Sequence, residues 1–172
     1  MALVSIIADT SVLINFLRID RMDLIGMHPE QFLATEHVAD EISDAYPDQQ
    51  TRYGSALAAG YLSQVTANDP EELDLFLRLG QSQRLGAGER SAIAVALNRG
   101  WTLAVDDTRA FNQAFREAGL SGRSLERIRT QDVVIALIRS SVLTLAEADA
   151  IKRTWAAHHR FRLKIVSFGD LL

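Results

Sequence analysis

Aspartates stand at the ends of two apolar segments, each long enough to form a buried strand. Asp9 follows the segment Leu3–Ala8, and the pair Asp106 and Asp107 follows Trp101–Val105. In an open parallel sheet, ligands bind in the crevice outside the carboxyl ends of the strands. Aspartates at two such ends are therefore candidates to meet at one edge of a sheet, where their oxygens can ligate a metal ion.

Two glutamates are further candidates for the same cluster. Glu41 lies in the segment EHVADEISDAY, and Glu89 follows the glycine-containing break GAG. Carboxylates that converge repel one another, which raises their pKa values, and Mg²⁺ or Mn²⁺ relieves this repulsion because both cations prefer oxygen ligands. Such a cation can activate water for attack at phosphorus, so this set of acids permits metal-assisted hydrolysis of a phosphodiester.

Each of these acids also has an ordinary structural interpretation. Asp9, Thr10 and Ser11 are all residue types that cap the N-terminus of a helix. Glu89 is expected in the first turn of a helix, where the helix dipole favours a negative charge, and Glu41 can be an exposed helical glutamate. Capping and ligation are compatible at Asp9, because a strand end that begins a helix holds its side chain rigidly.

The apolar pattern places the acids on alternating strands and helices. Strands are predicted at Leu3–Ala8, Gln31–Ala34, Tyr61–Thr66, Trp101–Val105 and Phe161–Val166. Helices are predicted at Ser11–Leu17, Arg21–Met27, after Thr35, at Asp48–Ala59, from Pro70, and at Glu89–Asn98, Phe111–Ala118, Gln131–Ser140 and Leu145–Ala157. This alternation predicts an α/β fold with a parallel sheet.

Composition restricts the classes of protein that the chain can belong to. Its 172 residues are 48% hydrophobic and 23% charged, which is typical of a globular domain. The absence of cysteine excludes disulfides, thiolate nucleophiles and zinc–thiolate sites. No apolar stretch approaches the roughly 18 residues of a membrane span, and the N-terminus has neither a basic segment nor a cleavage site. We therefore expect a cytoplasmic protein without a membrane partner.

Charge is distributed unevenly along the chain. The net charge is −4, yet acidic residues outnumber basic ones roughly two to one over residues 1–120, and the ratio reverses over residues 121–164. The basic segment TWAAHHRFRLKIVSF contains Trp155 and Phe161, which can stack on bases while nearby cations contact phosphates. The alternative is that both aromatic residues belong to the core and the cations form a solvated surface.

The acidic positions and their surroundings, taken together and in order, resemble the PIN-domain ribonucleases and in particular the VapC-like toxins of bacterial toxin–antitoxin pairs. The resemblance extends from residue 3 to about residue 118 and is patchy between Pro47 and Leu85. The stretches that carry it are IIADTSVLINFL, HVADEI, LGAGERSAIAVALNRG and WTLAVDDTRAF.

This resemblance implies a role for each acidic position. Metal ligands would be Asp9, Glu89 and one of Asp106 and Asp107. Glu41 would complete the catalytic cluster or orient a water molecule. Alignment from Gly100 without a gap favours Asp107, whereas a strand shorter by one residue favours Asp106. Successive strand residues point in opposite directions, so one of the two is expected to face the metal.

Polar neighbours of the acids receive supporting roles by the same resemblance. Thr10 or Ser11 would place a water molecule or a phosphate, and Asn15 would donate a hydrogen bond within the site.

The fold implied by the resemblance is a three-layer α/β/α arrangement with a central, mainly parallel sheet. We expect a single PIN-like domain over residues 1–172, in which residues 121–172 form a basic helical extension packed on the rest. The function implied is that of a Mg²⁺- or Mn²⁺-dependent endoribonuclease, the toxin of a toxin–antitoxin pair. RNA substrate, a cognate antitoxin protein and a homodimer are the partners implied. The alternative is a catalytically inactive PIN-like module that acts through protein or RNA contacts.

Overall fold

The computed structural model describes residues 4–82 and 84–172, and for Ser82 it describes the backbone alone. Leu3, the first residue of the predicted opening strand, lies outside these ranges. The strands are β1 (Ser5–Ala8), β2 (Gln31–Thr35), β3 (Ser63–Val65), β4 (Thr102–Ala104) and β5 (Arg127–Ile128).

The helices follow the predicted positions closely. They are α1 (Thr10–Arg18), α2 (Met22–Gly26), α3 (Glu36–Ala45), α4 (Pro47–Ala58), α5 (Pro70–Ser82), α6 (Ala87–Arg99), α7 (Thr108–Ser121), α8 (Thr130–Arg139) and α9 (Leu145–His158), with a final 3-10 helix at Phe168–Leu171. None of the helices described is long and apolar enough to cross a membrane.

The five strands form one parallel sheet in the order β3-β2-β1-β4-β5. Strand β1 therefore lies in the centre, with β2 on one side and β4 on the other, and the direction of strand succession reverses between β1 and β4. Such a reversal opens a crevice at the carboxyl ends of the two strands. The predicted three-layer α/β/α fold with helices on both faces is confirmed, and the strands paired in this sheet are all parallel.

Alternate residues of β1 and β4 supply two hydrophobic cores, one on each face of the sheet. Ile6 and Ala8 pack with α1–α4, α8 and α9, whereas Ile7 and Leu103 pack with α5, α6 and α7. Because β1 is buried on both faces, it is a continuous apolar run, as expected for the centre of a parallel sheet.

The strand predicted at Phe161–Val166 is wrong, since this segment forms no strand. Its alternating pattern arises because Phe161, Leu163 and Ile165 pack against the first core while the residues between them are exposed. Alternation of apolar and polar residues indicates that one side of an extended segment is buried. A segment that lies on helices meets this condition without pairing with another strand. The fifth strand is instead the two-residue β5, which is too short to give a periodic signal.

Helices α8 and α9 share the first core with the N-terminal helices. Trp155 of α9 is fully buried, contacts Phe16 edge-on, and donates its indole N–H to the backbone oxygen of Asn15 at 2.8 Å. Phe161 packs edge-on against the same indole. Trp155 therefore belongs to the core and is inaccessible to bases.

Candidate active site

The carboxyl ends of β1 and β4 are joined by a backbone hydrogen bond at the position where the predicted acids begin. The Asp9 backbone N–H donates to the Ala104 backbone oxygen at 2.9 Å, which continues the β1–β4 pairing by one residue. Asp9 is also the N-cap of α1, and its side chain accepts from the Ser11 backbone N–H. One residue thus terminates the central strand, starts a helix and directs a carboxylate into the crevice.

The Asp9 carboxylate is only half satisfied by its surroundings. Its Oδ2 atom accepts the Ser11 backbone N–H at 3.0 Å, whereas Oδ1 is buried and has no hydrogen-bond partner among the described residues. Burial, aided by the nearby charge of Glu41, raises the pKa of Asp9 to about 6, although the hydrogen bonds from Ser11 lower it. An unpaired buried carboxylate oxygen is costly unless a cation or a proton meets it.

Glu89 and Asp107 face the same crevice. Glu89 lies in the first turn of α6 and accepts the Gly86 backbone N–H at 3.0 Å. Burial raises the pKa of Glu89 to about 7, and the charges of Asp9, Asp107 and Glu41 add to the effect. Asp107 is the N-cap of α7, where Oδ1 accepts the Ala110 backbone N–H at 3.0 Å.

Glu41 approaches the N-terminus of α6 and binds there. Its Oε1 atom accepts the Gly88 backbone N–H at 2.8 Å, and Oε2 accepts the Thr10 hydroxyl at 2.8 Å. A Cβ atom on Gly88 would lie 2.5 Å from Glu41 Oε2, and one on Gly86 would lie 2.9 Å from Oε1. The two glycines therefore make room for the carboxylate, and the helix dipole favours its charge.

Asp106 and Asp107 point to different surroundings, as the alternation of strand residues requires. The Asp106 carboxylate accepts from the Thr130 backbone N–H at 2.9 Å, the Thr130 hydroxyl at 2.5 Å and the Asn15 amide at 3.0 Å. The Ser11 hydroxyl accepts the Asp106 backbone N–H at 3.0 Å. Burial raises the pKa of Asp106. Its carboxylate thus connects β4 to α1 and α8, while the Asp107 carboxylate lines the crevice.

The crevice is a cleft of about 370 Å³ with acids on its walls and cations at its rim. Its lining comprises Asp9, Thr10, Ser11, Glu41, Ala45, Tyr46, Arg84, Gly86, Glu89, Asp107 and Arg109. The cleft therefore holds every predicted site residue except Asp106 and Asn15, which lie behind it and hydrogen-bond to each other.

The residues of the cleft fit a divalent cation by their chemistry. They offer carboxylate oxygens, an unpartnered buried oxygen on Asp9, and raised pKa values that a bound cation would lower. Within the described residues, no three carboxylate or imidazole groups stand close enough to share one ion as they are placed. The candidate ligands that line this cleft are Asp9, Glu89 and Asp107.

A wider groove of about 730 Å³ lies between the edge strand β5 and helix α8, with Pro29 and Glu126 also in its lining. Its Glu126 and Asp132 share the groove with Arg127 and Arg139, so its charges are mixed. The smaller cleft combines burial with several converging carboxylates, and such groups with perturbed pKa values mark functional sites. We therefore assign the candidate active site to the smaller cleft.

Sequence reasoning missed Thr130 and Arg129, which lie beyond the stretches that resemble a known family. The Arg129 guanidinium donates to the Asp106 backbone oxygen at 2.6 Å, and Thr130 binds the Asp106 carboxylate. Their only sequence signal is that a threonine precedes the apolar pattern of α8, as a capping residue does. Arg84 and Arg109 at the rim carried no signal of their own.

The chain is similar to known proteins in sequence and in fold. A family model described as a PIN domain matches residues 5–121, about two thirds of the chain. No curated protein sequence matches the chain.

Solved structures with similar folds include the following three. A PilT N-terminus domain protein from Sulfolobus solfataricus P2 is 17% identical with a TM-score of 0.51, covering 81% of this chain and 94% of its own. A protein from Pyrobaculum aerophilum is 16% identical with a TM-score of 0.52, covering 81% and 98%. VapBC2 from Rickettsia felis, solved bound to a DNA fragment from its promoter, is 13% identical with a TM-score of 0.49, covering 72% and 98%. The first two show a shared fold.

Proposed function

This chain belongs to the PIN-domain family, and on that premise we propose that it is a divalent-metal-dependent endoribonuclease. The reaction is hydrolysis of an RNA phosphodiester: a P–O bond forms to the oxygen of water, a P–O ester bond breaks, and the leaving oxygen takes up a proton. Mg²⁺ or Mn²⁺ is the proposed cofactor, and the cytoplasm is the proposed compartment.

The observation that carries the proposal is the buried, half-satisfied carboxylate of Asp9 in an acidic cleft. Its Oδ1 atom has no hydrogen-bond partner among the described residues, and Glu89 and Asp107 line the same cleft. A protein that kept these acids merely as helix caps would not need to bury an unpaired oxygen, since exposed caps serve equally well.

The side chains of the cleft have different roles in binding the cation and in positioning the groups around it. Asp9, Glu89 and Asp107 would hold the cation, which, when bound, supplies an activated water and stabilises negative charge at phosphorus. Glu41 fixes the Thr10 hydroxyl and the N-terminus of α6 through the bonds described above. Arg109 and Arg84 at the rim offset the negative charge of the acids, so that a phosphate can enter.

The choice of RNA and the biological role rest on the resemblance of the sequence to VapC-like toxins. We propose that the protein is the toxin of a toxin–antitoxin pair, with a cognate antitoxin as partner and a homodimer as its own assembly. The antitoxin would cover the cleft and place a basic side chain among the carboxylates. Co-purification with the product of the neighbouring gene checks this, and failure to recover any complex would count against the toxin assignment.

The experiment that tests the enzymatic proposal compares cleavage of a mixed RNA pool by the wild type and by Asp9→Asn, with Mg²⁺ or Mn²⁺. The substitution keeps the size and the capping ability of the side chain and removes its charge. We expect cleavage by the wild type and a loss of about 100-fold or more in the variant, because a ligand is removed.

Equal cleavage by both proteins would identify a contaminant or another site and overturn the proposal. If purified, inhibitor-free protein leaves every RNA intact, the proposal fails in favour of a non-catalytic PIN-like binding module. In that case Mn²⁺ should also produce no Asp9-dependent shift in thermal stability.

A further inference from the structure

Two phenylalanines and two arginines form a continuous strip beside the candidate active site, which we call the Phe–Arg strip (Phe111, Phe115, Arg127 and Arg129). Phe111 and Phe115 are one turn apart on α7, so their side chains lie on the same face. Arg127 belongs to the edge strand β5, and Arg129 follows it directly. The sequence placed Arg127 and Arg129 in the basic C-terminal region but could not join them to the two phenylalanines, since helix α7 and strand β5 meet only in the folded chain.

The guanidinium groups stack on the aromatic rings. The Arg127 guanidinium lies 4.1 Å from the ring centroid of Phe111 and 4.7 Å from that of Phe115, and the Arg129 guanidinium lies 4.1 Å from Phe111. The Phe115 side chain is nonetheless 64% exposed. An aromatic ring held by an arginine and otherwise open to solvent is suited to stack on a further flat π-system.

The two arginines are held by backbone oxygens and lack a carboxylate partner among the described residues. Arg127 donates to the Phe111 backbone oxygen at 2.8 Å, and Arg129 donates to the Asp106 backbone oxygen at 2.6 Å. By contrast, Arg78 and Arg99 pair with the buried glutamates Glu117 and Glu72. Each guanidinium of the strip therefore keeps a full positive charge and most of its five N–H donors for a ligand.

The strip begins next to the acidic cleft without lining it. Its inner end is Arg129, bonded to Asp106, the neighbour of the cleft residue Asp107. Asp107 also caps α7, so the helix carries the strip outward from the cleft, and the eight residues to Phe115 span about 12 Å. Rim residue Arg109 lies on the first turn between them. A ligand that occupied both regions would be an elongated polyanion with flat groups along it.

We propose that the Phe–Arg strip is the path of single-stranded RNA on its way to the cleft, with a base stacked on Phe115 and phosphates bound by Arg127 and Arg129. That this strand is the substrate rests on the proposed function. An unpaired strand fits because a base must leave its stack to meet the ring. An acidic protein segment would satisfy the arginines and leave Phe115 without a flat partner.

Binding of a fluorescein-labelled twelve-nucleotide single-stranded RNA, followed by anisotropy, tests the path. All variants are made in the full-length Asp9→Asn protein and measured without divalent cation, so that binding is independent of cleavage. We expect Phe115→Ala to weaken binding roughly 5- to 100-fold, the range found when a stacked aromatic residue is truncated. Leu120→Ala is the control, because Leu120 is 78% exposed on the same helix and outside the strip.

The salt dependence of binding supplies a readout that a structural role would not produce. Arg127→Gln should reduce the slope of log affinity against log salt by about 0.7, the value for one phosphate contact with a single strand. Arg153→Gln, which changes an exposed arginine of α9, should leave the slope unchanged. Melting temperatures of all variants identify any loss of fold.

Two results would overturn the path. Folded Phe115→Ala and Arg127→Gln that bind RNA as tightly as their parent, with the same salt slope, would refute it. If these variants bind RNA as their parent does but no longer bind a co-expressed protein partner, the strip recognises protein instead. These results do not depend on cleavage. If the wild type cleaves RNA but the strip variants bind RNA normally, the proposed path fails while the proposed enzyme stands.

Discussion

At the scale of the residue, the buried negative charge of Asp9 lowers the stability of the metal-free fold. With 2% of its surface exposed and one oxygen unpaired, the ionised form is disfavoured, as its pKa of about 6 indicates. The folded state without metal binds a proton more tightly than the unfolded chain, whose aspartate has its ordinary value of 3.8. Stability therefore falls as pH rises from about 4 to about 6 and stays lower above that range.

Asp9→Asn should remove this loss. We expect the metal-free variant to be more stable than the wild type at pH 7.5, by on the order of 1 to 3 kcal/mol, and to lose that advantage near pH 4. Thermal melts with a chelator at the two pH values measure the difference.

Addition of Mn²⁺ should then raise the melting temperature of the wild type and leave Asp9→Asn unchanged. A variant that is less stable than the wild type at pH 7.5 would contradict the account of a strained, unpaired carboxylate.

Substitutions at Asp107 and around Asp106 should have different effects, the first on cleavage and the second on stability. Asp107→Asn keeps a capping side chain for α7, so we expect an unchanged melting temperature with cleavage reduced about 100-fold. Thr130→Val removes the hydroxyl that donates to Asp106, which should cost about 1 to 3 kcal/mol and lower the melting temperature by roughly 2 to 4 °C per kcal/mol. Melting curves and cleavage rates of both proteins check this; wild-type cleavage by Asp107→Asn would exclude Asp107 as a ligand.

At the scale of the element, the site depends on where three helices begin. Helix α1 begins after Asp9, α7 begins after Asp107, and α6 begins at Ala87, just before Glu89. A helix N-terminus carries unpaired N–H groups and partial positive charge, so three of them together tolerate a cluster of acids. The glycines at the start of α6 let Glu41 of α3 reach that N-terminus.

Gly88→Ala should therefore affect the candidate active site through Glu41. The added Cβ would overlap Glu41 Oε2, so the glutamate must leave the Gly88 N–H and the Thr10 hydroxyl. We expect a loss of about 1 to 3 kcal/mol and reduced cleavage. Gly54→Ala is the matched control, since nothing lies within 4 Å of its added Cβ and alanine favours α4. Equal melting temperatures and rates for the two alanine variants would refute the role of Glu41.

At the scale of the whole molecule, residues outside the region matched by the family model support the site. Thr130 and Arg129 hold Asp106 in place, and Trp155 of α9 donates to the backbone oxygen of Asn15, whose amide also binds Asp106. The first core joins α8 and α9 directly to the helices α1–α4 on the same face of the sheet. The position of the β4 end is thus determined partly from the C-terminal side.

Trp155→Phe tests this support. The change keeps an aromatic ring and leaves the Asn15 oxygen without its donor, so we expect a loss of about 1 to 3 kcal/mol. Trp101→Phe is the comparison, since Trp101 is half-buried and its contact with Arg99 is a cation–π interaction worth less. Chemical denaturation of both variants measures the difference; an equal loss would show that the Trp155 hydrogen bond contributes nothing.

The sequence by itself determined the elements and the acidic cluster. Leu3–Ala8 and Trp101–Val105 were recognisable as strands because a buried parallel strand is a continuous apolar run, and the acids after them followed from chain order. The helices were recognisable by their spacing and by caps such as Thr35, since both signals are local. For the same reason, Gly86 and Gly88 indicated where α6 begins.

Only the tertiary structure decided which groups meet. Asp106 and Asp107 are adjacent in sequence, and their different roles depend on the exact end of β4 and on Thr130, which is 24 residues away. The Phe–Arg strip joins a face of helix α7 to the edge strand β5, whose two residues are too few for any periodic signal. Phe161–Val166 alternates like a strand and lies on helices, because burial fixes the pattern of side chains while pairing depends on neighbours distant in the chain.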